Sequence, residues 1–75
     1  MIERVQAFLQ SRLRAKSDTG PLGSLFLSGR LDSLDAMETV VFLEQEFGLD
    51  FAEIGFDLES IDSVEAICAL IEEHP

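Results

Sequence analysis

Seventy-five residues, 47% apolar and 27% charged, suffice for one small globular domain spanning residues 1–75 and leave little room for a deep pocket with its own catalytic apparatus. Fifteen acids against five bases give a net charge of −10, which opposes binding to nucleic acid. The single cysteine, Cys68, excludes an intramolecular disulfide, and one Cys with one His excludes a zinc site built from those residue types alone.

No apolar run approaches the roughly 20 residues of a membrane span. Met1 to Lys16 alternates charged with apolar residues and has no continuous signal-peptide core, so a cytoplasmic location is expected. The charge is unevenly spread. Residues 1–30 hold five bases and two acids, whereas residues 31–75 hold thirteen acids and no base. Such an asymmetry suits a face that meets basic partners.

The elements follow in chain order. Ile2, Val5, Phe8, Leu9 and Leu13 form one stripe, which predicts an amphipathic helix over 2–16. The breaker-rich Ser17–Ser24 stretch ends it. A long connection over 17–31 follows, with Leu22, Leu25, Phe26, Leu27 and Leu31 expected to pin it to the core. Asp32 caps a second helix over Ser33–Phe47, and Asp35 supplies a weakened capping box. Gly48 stops that helix. One helical turn is expected over 51–55, then a last helix over 61–73, capped by Ser60 or Asp62. The fold class is therefore all-α: a small four-helix bundle with a long first loop and a short third helix.

No nucleophile, base and orienter come together in this sequence, so it does not read as an enzyme. His74 lies beside the terminal residue, and Cys68 falls on the apolar stripe of the last helix. No segment has the oxygen-ligand spacing and central Gly of an EF-hand loop, so no metal site is expected. One segment stands apart: Gly29-Arg30-Leu31-Asp32-Ser33-Leu34-Asp35. It puts a serine hydroxyl at a loop-to-helix junction, where the positive helix end favours a phosphate ester.

The run from Leu25 to Glu38, continuing through Phe42-Leu43-Glu44-Gln45-Glu46-Phe47-Gly48-Leu49, resembles the acyl carrier protein family, and the resemblance covers nearly the whole chain. The family is a four-helix bundle with a long first loop and a short third helix. Its central Asp-Ser-Leu motif is intact here as Asp32-Ser33-Leu34. The resemblance implies that Ser33 carries a covalent 4′-phosphopantetheine arm, installed from coenzyme A by a phosphopantetheinyl transferase. The arm holds an acyl or aminoacyl cargo as a thioester. It also implies a docking face on the second helix, for which the candidates are Asp32, Leu34, Asp35, Met37, Glu38, Val41 and Glu44. Partners would be the transferase, an acyl- or aminoacyl-loading ligase and downstream acyl-processing enzymes with basic docking surfaces. The cargo stays open between aminoacyl, short acyl and fatty acyl groups. A second Asp-Ser-apolar run, Asp62-Ser63-Val64, lacks the long preceding loop and reads as a helix start. The competing reading is an unmodified acidic helical module that docks a basic partner, with Asp32 and Ser33 as plain caps.

Overall fold

The computed structural model describes residues 1–74. It contains helices α1 (Ile2–Arg14), α2 (Ser33–Phe47), α3 (Phe51–Ile54) and α4 (Val64–Glu73), with a 3₁₀ turn over Leu58–Ile61. Among the described residues there is no strand, and the four helices form the expected bundle.

Helices α1 and α4 face the core with most of the stripe that their periodicity marks, whereas α2 buries Ala36, Thr39 and Leu43 and turns Leu34, Met37 and Val41 outward. Val5, Leu9 and Leu13 of α1 are buried, as are Leu43 of α2 and Val64, Ile67, Leu70 and Ile71 of α4. Burial of a side chain such as Leu9 or Ile67 contributes about 1.5–3 kcal/mol. Phe8 of α1 stacks on Phe42 of α2, with ring centroids 4.2 Å apart. Gly48 ends α2 at φ 71°, a left-handed conformation that a side chain would strain.

Three boundaries differ from the expectation. Helix α1 ends at Arg14, and tight turns carry the chain through Ser17. The last helix starts at Val64 instead of residue 61, because Leu58–Ile61 takes up a 3₁₀ turn begun by Asp57, whose carboxylate accepts from Glu59 N. Its cap is Ser63, not Ser60 or Asp62. In the long loop Leu25, Phe26 and Leu31 are buried and Leu22 partly so, but Leu27 is exposed.

That loop is held at both ends. Arg30 donates to Asp18 through Nε at 3.0 Å and Nη2 at 3.1 Å, and its Nη1 reaches the carbonyls of Pro21 and Gly23 at 2.7 and 2.9 Å. Gly20 permits this clamp, since a Cβ there would lie 2.8 Å from Arg30 Nη2. At the α4 end, Asp62 Oδ1 accepts from the backbone of Phe26 at 2.6 Å and Leu27 at 2.9 Å. The loop thus delivers Leu31 to the core and Asp32 to the head of α2 in a fixed place.

Candidate functional site

The head of α2 is built from a complete capping box. Asp32 Oδ1 accepts from Asp35 N at 3.0 Å, and Asp35 Oδ2 accepts from Asp32 N at 3.2 Å. Because Asp32 is the cap, Ser33 becomes the first helical residue. Its side chain is exposed, and Oγ has no hydrogen-bond partner among the described residues. The Asp35 N–H is taken by Asp32, which leaves the N–H groups of Ser33 and Leu34 without a partner among the described residues at the positive end of the helix dipole.

The second Asp-Ser junction has the roles reversed. Ser63 is the cap of α4, and its Oγ accepts from Ala66 N at 3.0 Å. Asp62 is unavailable as a cap because its carboxylate is taken by Phe26 and Leu27. Two similar dipeptides therefore leave one serine free and one committed.

Basic residues of the first helix and the turn after it reach the same place. Arg12 donates to Asp35 Oδ1 through Nε at 3.0 Å and Nη2 at 2.9 Å, and its Nη1 pairs with Glu38. Lys16 Nζ lies 3.2 Å from Asp32 Oδ2 and 3.2 Å from Asp35 Oδ2. The Asp35 N–H bond, reinforced by Lys16, holds the Asp32 carboxyl down at about 2. Lys16 is raised in turn, by Asp35 first and then Asp32.

The residues expected to form a docking face do not share one environment. Leu34, Met37 and Val41 are exposed by 61%, 67% and 48%. Asp35 requires a correction: it is only 2% exposed, because capping Asp32 N and pairing with Arg12 turn its carboxylate inward. Glu38 is half-buried against Arg12. Glu44 is half-buried as well, and its Oε2 accepts from Phe51 N at 3.1 Å, so it orients α3.

Beside Ser33 lies an apolar cavity of about 520 Å³. Ala36, Met37, Val40, Val41, Phe56 and Leu58 are among its apolar lining, and Asp32 and Ser33 contribute to its wall. Phe56 had no place in the docking or core sets read from sequence. It is an aromatic between Gly55 and Asp57, outside any helical period, and only the turn after α3 brings it to α2. It is 53% exposed.

This arrangement offers a free hydroxyl without a base to activate it. His74 is not among the cavity's lining residues. Cys68 is half-buried in α4, where burial first, and then Glu72 and Glu65, push its thiol up, which disfavours the thiolate. An exposed Oγ on a helix N-terminus, with an apolar cavity alongside, fits a phosphate-linked arm that bears an apolar cargo.

Comparison with known proteins agrees with this geometry. The family described as "Phosphopantetheine attachment site" matches residues 3–71. The chain is 38% identical over 73 residues to acyl carrier protein 2, chloroplastic, of Arabidopsis thaliana, a match covering 96% of this chain and 52% of that protein. It is 36% identical over 73 residues to the chloroplastic acyl carrier protein of Brassica napus, covering 96% and 53%. The chain spans about half the length of these curated relatives. No solved structure matches it. With a matched region running from α1 into α4, and the bundle and first loop that this family has, the chain belongs to the phosphopantetheine-carrying acyl carrier protein family, whose members are carriers and not enzymes.

Proposed function

We propose that this protein carries an acyl or aminoacyl group on a phosphopantetheine arm attached to Ser33 Oγ. The observation that carries the assignment is the contrast between the two Asp-Ser junctions: Ser33 is exposed and uncommitted, while the Ser63 hydroxyl is spent on capping α4. When bound, the arm supplies a thiol that holds the cargo as a thioester. The chain's own residues do the rest. Asp32 and Asp35 fix the first turn of α2, so Ser33 is presented rigidly. The N–H groups of that turn face the negative charge of the phosphodiester. The apolar walls of the cavity give a hydrophobic cargo shelter from water.

The partners in this reading are a phosphopantetheinyl transferase, a loading ligase and acyl-processing enzymes. The cavity favours an apolar acyl group over a charged aminoacyl group as cargo, since Asp32, its one charged lining residue, is exposed and already paired with Lys16. No helix of the described chain is long and apolar enough to cross a membrane. A cytoplasmic location is part of this proposal, although the names of the plant relatives place those proteins in chloroplasts. The pairs that Arg12 and Lys16 make with α2 count against the unmodified acidic module, because much of the acid at the head of α2 is already matched inside the molecule.

The test is incubation with coenzyme A and a broad-specificity phosphopantetheinyl transferase, followed by proteolysis and fragment mass analysis. The added group is expected on the peptide containing Ser33. Its appearance on the peptide containing Ser63 would overturn the assignment.

A further inference from the structure

The cavity beside Ser33 has a wall supplied by α2 and a wall supplied by the chain after α3. Phe56 belongs to the second wall and to no helix. Its backbone makes no hydrogen bond to another described residue. Gly55 sets its direction instead. The Gly55 N–H closes α3 on the Phe51 carbonyl at 2.9 Å, and the chain then turns at φ 89° and ψ 147°, a region that side chains avoid. A Cβ at Gly55 would meet no atom within 4 Å, so glycine serves backbone direction there and not space. The turn sets the Phe56 ring edge-on to the buried Phe51, with centroids 6.3 Å apart, and leaves much of it in water. Phe56 therefore lines the cavity with apolar area still to bury.

We propose that Phe56, aimed by the Gly55 turn, is a specificity-determining residue that selects the carried acyl group by its length. This rests on the carrier reading above and adds a property of the cargo. Ser33 contributes to the same cavity, so a cargo tethered through its Oγ has these walls beside its point of attachment. An acyl chain long enough to reach the Phe56 ring covers it, and both surfaces leave water. A short acyl group ends before the ring and gains nothing from it. Each methylene buried against the walls favours the sheltered state about fourfold.

The experiment loads the chain from butyryl-, octanoyl- or dodecanoyl-coenzyme A with a broad-specificity phosphopantetheinyl transferase, checked by intact mass. Hydroxylamine cleavage of the thioester is then timed, each rate being divided by that of the same carrier unfolded in urea. In the parent, the dodecanoyl form should be cleaved about tenfold more slowly than the butyryl form. Phe56→Ala should bring the two within about threefold and leave the butyryl rate unchanged. Gly55→Ala should act in the same direction, because its Cβ strains the turn that aims the ring. Phe56→Leu keeps an apolar wall and should keep most of the protection. Leu27→Ala removes an equally exposed apolar side chain outside the cavity and should match the parent. Circular dichroism confirms folding of each variant. Equal dodecanoyl protection in the parent and Phe56→Ala would overturn the inference, as would a loss of protection that is the same at every length. A parent chain that takes no group from coenzyme A overturns the carrier reading and the inference together.

Discussion

Asp62 Oδ1 lies 2.6 Å from the backbone nitrogen of Phe26, and this contact ties the head of α4 to the loop that delivers Ser33. The same oxygen accepts from Leu27 at 2.9 Å, while Leu25 N donates to the Asp62 carbonyl at 2.9 Å. Removing the carboxylate leaves the partly buried Phe26 N–H without its acceptor. Asp62→Ala should therefore lower stability by about 1–3 kcal/mol, measured by urea denaturation. Asp62→Asn keeps an acceptor oxygen and should recover much of the loss. Equal losses in the two variants would show that charge, and not the hydrogen bonds, anchors the loop.

The buried Asp35 shifts an expected docking residue into the fold. It accepts from Arg12 and from Asp32 N, and it is paired with Lys16. Asp35→Ala removes half of the capping box and one partner from each of two cations, leaving Arg12 to Glu38 and Lys16 to Asp32. A loss of about 2 kcal/mol is expected, read as a drop in melting midpoint. Glu38→Gln, at the half-exposed neighbour, should change the midpoint far less. A melting midpoint unchanged by Asp35→Ala would contradict the buried pairing.

Acid should loosen the loop and the head of α2 together. Asp18 is held down at about 2, first by Arg30 and then by Gly20 N. Asp32 is held down at about 2 by Asp35 N and then Lys16. Their ordinary value is 3.8. For a carboxylate whose folded pKa is depressed, the stabilisation is present above the unfolded value and lost as pH falls through the folded one. The melting midpoint should thus fall between roughly pH 4 and pH 2, and carboxyl carbon-13 shifts should place both groups below the ordinary range. Arg30→Ala should return Asp18 toward 3.8 and leave Asp32 in place. Titration of both parent carboxylates near 4 would contradict these bonds.

Much of this was legible in the sequence, and the illegible parts have physical reasons. The limits of α2 follow from local chemistry: Asp32 and Asp35 cap one end, and Gly48 stops the other. The start of α4 does not, because Asp62-Ser63-Val64-Glu65 is locally compatible with an Asp cap. Only the distant Phe26 and Leu27, which occupy that carboxylate, move the cap to Ser63. The motif at Ser33 was visible as a pattern. The burial of Asp35 was not, since Arg12 lies 23 residues away in sequence. Packing turns Met37 and Val41 outward.

Salt should stabilise the apo chain despite its ion pairs. Arg4 pairs with Glu46, and Arg12 and Lys16 serve Asp32, Asp35 and Glu38, so these three bases are spent on the acids of α2 and its cap. Asp50, Glu53, Asp57, Glu59, Glu65, Glu72 and Glu73 have no cation partner among the described residues. Their mutual repulsion is screened by salt. The melting midpoint should rise from very dilute buffer to moderate salt. A fall would mean that the surface pairs outweigh that repulsion.

The central claim is that Ser33 is free for modification because Asp32 caps α2, whereas Ser63 is a cap. Intact mass after exposure to coenzyme A and transferase, with melting measured on the same apo variants, tests both halves. Ser33→Ala should melt with the parent and gain no mass. Ser63→Ala should lose about 1 kcal/mol of stability and still gain one phosphopantetheinyl group. A mass gain in Ser33→Ala, or its loss in a folded Ser63→Ala, would contradict the account.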